Sequence, residues 1–197
     1  MLSHFVGGAG AQLDWTKPYL LVVQHPVTTE FGSGLDQINE TISAIDGLEM
    51  QTLWLWPNVD AGSDDVAKGI RLYRERRNPS FVHFYRNFSP EDYLRVMNNC
   101  VCIVGNSSSG LREGAFLGTP CVNIGSRQAM RERGANVMDA PYDAKQIRHA
   151  IETQVAHGRY PSDPIFGNGT AGQQMADVLA RIPLSIHKKL NYVYDKQ

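Results

Sequence analysis

Asn106-Ser107-Ser108-Ser109-Gly110-Leu111-Arg112-Glu113 gathers an amide, three hydroxyls and a carboxylate directly after the apolar run Val101-Cys102-Ile103-Val104-Gly105. The run reads as a buried strand, and the segment that follows, rich in helix formers and free of proline, reads as a helix. A strand that turns straight into a helix exposes several backbone N–H groups at one point, where the helix dipole adds partial positive charge. Such a point suits a phosphate. The serine hydroxyls add donors, and Gly110 lets a ligand approach the backbone. Glu113 falls one helical turn beyond Ser109 on the same face, where a carboxylate would repel a diphosphate but accept hydrogen bonds from a sugar diol. Phosphate at the helix tip with ribose on the next turn describes a nucleotide site. Serine and asparagine are equally ordinary helix caps, so the stretch alone leaves both readings open.

Other polar residues stand at comparable places. His25 follows an apolar run and precedes Pro26, which holds it extended. A histidine there either caps its loop or does acid–base work, since its ordinary pKa lies near neutrality. Asn58 and Asp60 either bind a ligand or cap their own turn. Arg127 could bind phosphate or be one of several solvated charges with Arg131 and Arg133. Trp54 and Trp56 alternate on a strand and read as core. No G-x-G-x-x-G or P-loop lysine pattern occurs, which argues against a nicotinamide enzyme or an ordinary ATPase.

The elements that must position these residues alternate. Strands are predicted at 19–24, 51–56, 81–84, 101–105 and 121–124, with a short sixth at 136–138. Leu35, Ile38, Ile42 and Ile45 recur at helical spacing. Ser63 is expected to cap a helix from Asp64 to about Arg76, and Ser89-Pro90-Glu91-Asp92 is a strong helix start that sends Tyr93, Leu94, Val96 and Met97 to the core. Asp143 with Gln146 starts a helix to about His157, and a final helix spans Ala171 to Arg181. The fold class is therefore α/β, a doubly wound, mostly parallel Rossmann-like sheet. Ligands bind such sheets beyond the carboxyl ends of the strands. His25, Asn58, Arg86 to Phe88, Asn106 to Ser109 and Gly125 to Arg127 all fall there. The division expected is a flexible lead-in at 1–17, a Rossmann-like nucleotide-binding domain at 18–185 and a tail at 186–197.

A chain of 197 residues with net charge −1, 42% apolar and 20% charged residues fits one substantial globular domain. It gives no support for a nucleic-acid or membrane partner. Three cysteines without zinc or disulfide spacing read as buried thiols, and with neither a signal peptide nor a transmembrane stretch a cytoplasmic protein is expected.

Four longer motifs carry a resemblance: Gln24-His25-Pro26-Val27-Thr28-Thr29-Glu30, Trp56-Pro57-Asn58-Val59-Asp60-Ala61-Gly62-Ser63, Gly105 to Glu113, and Gly118-Thr119-Pro120-Cys121 through Gln128. In order from about Tyr19 to Gly169 they resemble UDP-N-acetylglucosamine 2-epimerases of the hydrolysing branch used in sialic-acid-type sugar synthesis. The resemblance implies the C-terminal half of a two-domain glycosyltransferase-type (GT-B) fold. It implies anti elimination of UDP to a 2-acetamidoglucal, followed by hydration to N-acetylmannosamine. By motif match His25 is the family's cleft histidine, implicated in catalysis. Ser107 and Ser108 match phosphate-binding serines, Glu113 the ribose carboxylate, and Asn58 and Arg127 further nucleotide-cleft positions, while the loop at Arg86 to Phe88 is where uracil would be read. No cofactor or metal is expected. The expected partners are UDP or a UDP-sugar, an N-terminal domain that carries the family's acidic residues, and a second copy of the chain. Without that domain the chain alone is expected to be inactive. Two alternatives remain: the donor-binding domain of a glycosyltransferase, which also holds ribose by a carboxylate, and a non-catalytic nucleotide-sugar-binding module.

Overall fold

A computed structural model describes residues 7–183, which divide into two compact units after Phe166. The first holds a seven-stranded sheet. β1 is Ala9–Gly10, β2 Leu20–Val23, β3 Thr52–Leu55, β4 Val82–Tyr85, β5 Cys102–Gly105, β6 Cys121–Ile124 and β7 Val137–Ala140. They lie in the order β1-β4-β3-β2-β5-β6-β7, and all neighbours are parallel except β1 with β4. The chain thus starts at the middle of the parallel sheet, builds outward to β4, then returns to β5 and builds the other way. This is the doubly wound topology read from the alternation of elements, and the reversal between β2 and β5 is its switch point.

Helices cover both faces, so β2, β3, β5 and β6 are buried along their whole length and need no polar alternation. On one face Leu20, Val22, Trp54, Phe84, Val104 and Val122 pack against α1 (Gly34–Leu48), α2 (Ser63–Arg77) and α5 (Ala144–His157). On the other, Leu21, Val23, Leu53, Ile103 and Cys121 pack against Val96 and Met97 of α3 (Pro90–Asn99) and Leu111 of α4 (Ser108–Leu117). The three cysteines are buried and unpaired by disulfides, and burial pushes the Cys100 thiol up to about 12.

Four details differ from the sequence reading. The lead-in contains β1, whose backbone pairs with β4 and whose flanking carbonyls, Ala11 O and Gly7 O, face the two ring nitrogens of His83 at 2.7 and 3.0 Å. A glycine-rich stretch carries little strand propensity, and the unpaired edge of β4 supplies the template. The α2 cap is Gly62 at φ 88°, with Ser63 the first helical residue and no side-chain cap bond. Leu94 is exposed, since its turn of α3 faces away from the sheet. Trp56 is only partly buried at the end of β3, unlike Trp54. By contrast the Ser89 and Asp143 side chains accept from the N–H groups of Asp92 and Gln146, as N-cap residues do, although the Asp143 N–H donates to Pro141 O and does not close a capping box.

The second unit, described by itself, contains α6 (Ala171–Leu179), on which Met175, Val178 and Leu179 are exposed. The expected tail at 186–197 lies outside the described residues. Among those residues no helix is long and apolar enough to cross a membrane.

The end of β5 imposes a strict requirement. Gly105 has φ +132°, and a Cβ there would stand 2.1 Å from Val23 O. Gly105→Ala is expected to lower the unfolding free energy by about 3 kcal/mol, measured by urea denaturation. A loss well under about 1 kcal/mol would mean that the close approach of β2 and β5 is overstated.

Candidate functional site

A cleft of about 960 Å³ opens at the carboxyl edge of the sheet, over the switch point. Because β2 to β6 are parallel, the turns that follow them emerge on one side. The β2 turn supplies His25, the β3 turn Asn58, the β4 turn Arg86 to Phe88, and the β5 turn Ser107 and Ser109.

His25 is 7% exposed. Its backbone is held by Asn106, whose Oδ1 accepts from His25 N–H at 2.7 Å and whose Nδ2 donates to His25 O at 2.8 Å. Its ring Nδ1 accepts from Asn58 N–H at 3.1 Å. An accepting Nδ1 places the proton on Nε2 in the neutral ring. Burial, reinforced by the Arg127 guanidinium and partly offset by Asp60, pushes the imidazole down to about 4. The near-neutral titration expected for this residue is therefore corrected. His25 is neutral at physiological pH, a donor rather than a cation.

At the next turn Ser107 caps α4, its Oγ accepting from Ser109 N–H at 3.4 Å. The Ser107 and Ser109 hydroxyls lie 2.8 Å apart, and the Tyr93 hydroxyl lies 2.6 Å from Ser109 Oγ. Tyr93, read from sequence as core, packs against that core and also forms part of the cleft wall, and burial raises its phenol to about 12. The first turn of a ten-residue helix and this chain of hydroxyls gather hydrogen-bond donors at one point without a charged side chain. Arg127 is half-buried. It donates to Asn106 O at 3.1 Å and pairs with Asp60 at 3.7 Å, next to His25 but outside the cleft lining.

Two other expected site residues are not brought into this wall. Ser108 lines a neighbouring hollow of about 220 Å³ with Leu111, Arg112, Arg131, Glu132 and Phe166. Glu113 is exposed on α4, close enough to Tyr93 for its charge to raise that phenol. At the far end Phe88 stacks on Tyr85 with ring centroids 4.3 Å apart. Among the described residues no group of three or more His, Cys, Asp or Glu side chains could hold a metal ion. The sequence reading put Asn106 at the ligand-facing edge without the hold of its amide on His25, and gave Tyr93 a place in the core without one in the cleft wall. A hydroxyl at helical spacing looks like core, and an amide after a strand looks like a cap.

Residues 9–180 match the family described as UDP-N-acetylglucosamine 2-epimerase. The chain is 35% identical over 137 residues to polysialic acid biosynthesis protein P7 of Escherichia coli, covering 68% of this chain and 34% of that protein. It is 28% identical over 171 residues to the UDP-N,N'-diacetylbacillosamine 2-epimerase (hydrolyzing) of Legionella pneumophila, covering 87% and 45%. Among solved structures, the UDP-GlcNAc 2-epimerase of Neisseria meningitidis bound to UDP-GlcNAc superposes with a TM-score of 0.64 at 13% identity, covering 86% of this chain and 46% of that one. The chain spans less than half the length of these relatives, and its fold resembles one half of a GT-B-type architecture.

The depressed titration of His25 has a consequence for stability. The unfolded chain takes up this proton near pH 6.5 and the folded chain only near pH 4. The histidine's contribution is therefore complete above 6.5 and declines as pH falls through that window, by about 3 kcal/mol at its limit. Urea unfolding at pH 7.5 and pH 4, compared between wild type and His25→Gln, is expected to show most of this loss in the wild type alone. Parallel losses would mean that His25 is hydrated.

Proposed function

Since the chain belongs to the UDP-N-acetylglucosamine 2-epimerase family, we propose that it forms the UDP-binding C-terminal part of a hydrolysing enzyme. The observation that carries this reading is the meeting of His25, Asn58 and the α4 N-terminus in one cleft at the switch point. The diphosphate sits at the α4 tip, taking backbone N–H groups, that of Ser108 among them, and the hydroxyls of Ser107 and Ser109. Glu113, one turn on, accepts from the ribose diol, and the loop at Arg86 to Phe88 reads uracil. Asn58 completes the cleft wall, and Arg127 stands behind it, beside His25 and paired with Asp60.

In the reaction proposed, the C2 proton of the sugar is removed and its electron pair forms the C1=C2 bond. The C1–O bond breaks and its electrons leave on UDP. Water then adds across the 2-acetamidoglucal, giving N-acetylmannosamine. A neutral His25 donates its Nε2 proton toward the diphosphate, which stabilises the leaving charge. Negative phosphate beside the ring also raises its proton affinity, so the acid forms when the substrate is in place. The groups that handle the C2 proton belong to the N-terminal domain, and the isolated chain binds nucleotide without turning over sugar. The Escherichia coli relative named for polysialic acid biosynthesis supports a place in sialic-acid-type sugar synthesis, and a cytoplasmic, self-associating enzyme accords with that role.

A glycosyltransferase donor domain would hold its nucleotide in the same way, but the family match favours the epimerase. Calorimetry of the chain with UDP, and GDP in comparison, is expected to show binding that prefers UDP. Glu113→Ala should weaken it about 10- to 100-fold, the loss of a charge-assisted pair of hydrogen bonds. Binding of neither nucleotide, or an unaffected variant, would remove the assignment. Release of N-acetylmannosamine from UDP-N-acetylglucosamine by the chain alone would overturn the division of labour between domains.

A further inference from the structure

The ladder between β2 and β5 runs to the pair Val23 and Gly105, and Asn106 N–H then donates to Val23 O at 3.1 Å. Beyond that point the Asn106 side chain continues the pairing. A carboxamide carries the same donor and acceptor as a peptide group, and here both are used on the two sides of His25, at 2.7 and 2.8 Å. The orientation is fixed, because a flipped amide would set N–H against N–H and oxygen against oxygen. Asn106 is fully buried, so these bonds have no competing water.

Because the side chain does the pairing, the main-chain carbonyl of Asn106 turns to the loop after β6. It accepts from Gln128 Nε2 at 2.7 Å and Arg127 Nη1 at 3.1 Å. One residue therefore ties the ends of β2, β5 and β6 together at the place where the backbones part. His25 is held at both ends, by Asn106 on its backbone and by Asn58 N–H on its ring.

We propose that Asn106 is a positioning residue, whose side-chain amide sets the His25 imidazole beside the α4 tip and whose carbonyl sets Arg127. Its part in catalysis rests on the functional reading above, whereas the clamp itself does not. Loss of the amide strands the N–H and C=O of His25, and the loop swings toward water to satisfy them. The ring then hydrates and titrates closer to an ordinary histidine. The charged groups that face it are Arg127, which opposes its protonation, and Asp60, which favours it. Neither is removed by substitution at Asn106.

The test is the titration of the His25 ring, followed by NMR of its nitrogens, in wild type, Asn106→Ala and Asn106→Ser. The Asn136→Ala variant serves as a control. Asn136 is also a buried amide, donating to Gly110 O and Thr119 O at a distance from His25 in sequence and element. Wild type is expected to titrate near 4 as the Nε2–H tautomer. In the Asn106 variants the midpoint should exceed about 5.5, with protonation favoured more than about 30-fold. Asn136→Ala should lose stability and leave the His25 midpoint in place. An unmoved midpoint in a folded Asn106 variant would overturn the proposal, as would an equal change in the control. If neither Asn106 variant folds, amide exchange in wild type decides: protection of the Asn106 side-chain protons is required, and rapid exchange overturns it. None of these measurements needs nucleotide. A clamp found in a chain that does not bind UDP would retire the functional reading and leave the role of Asn106 standing.

Discussion

Two parallel strands that are neighbours in the sheet must stop pairing where a doubly wound fold reverses direction, and the molecule's polar chemistry depends on how β2 and β5 part. The close contact before the split admits no side chain, which fixes Gly105. The buried main-chain groups after it need partners that neither backbone provides. Asparagine is the shortest side chain whose donor and acceptor stand on separate atoms, as they do in a peptide group, and Asn106 supplies them. With that requirement met, β2 is free to lead into the His25 turn and β5 into α4. The cleft is the space left between them.

The electrostatics of the cleft follow from the same arrangement. His25 is kept neutral by burial, and Arg127 is partly neutralised by Asp60. Oriented dipoles at the start of α4 stand beside hydroxyls linked from Tyr93 through Ser109 to Ser107, and Arg86 adds a cation to the cleft lining. Fixed dipoles attract an anion without a desolvation cost of the size that buried cations carry. In the account proposed here the charge arrives with the ligand, and the histidine becomes a better proton holder only then. That order confines the acid to the liganded state.

Much of this was legible from residue types and spacing. Continuous apolar strands separated by amphipathic helices announced a parallel sheet. Once the strands were parallel, the polar turns after them had to share an edge, so His25, Asn58 and Ser107 were brought together by topology. What the sequence could not supply was direction. Ser107 and Ser108 are adjacent, yet a helix start sends one into the cleft and the other into the next hollow. Tyr93 and Leu94 both looked apolar enough for the core, and the phase of α3 packed one against it at the cleft wall and turned the other outward. The cap of α2 was misplaced by one residue because serine is the commoner cap, whereas the turn requires a left-handed residue and therefore Gly62. The shift of His25 was likewise invisible, since it comes from burial beneath loops distant in sequence.

The central claim is that a nucleotide diphosphate settles at the α4 tip within the electrostatic reach of His25. The most direct test is to titrate the His25 imidazole by NMR in the free chain and again in the presence of saturating UDP. The account predicts that UDP moves the midpoint upward from about 4 and perturbs the Nε2 resonance, because the phosphate charge favours the imidazolium. Saturation with UDP that leaves the ring's midpoint and resonances unchanged would contradict it.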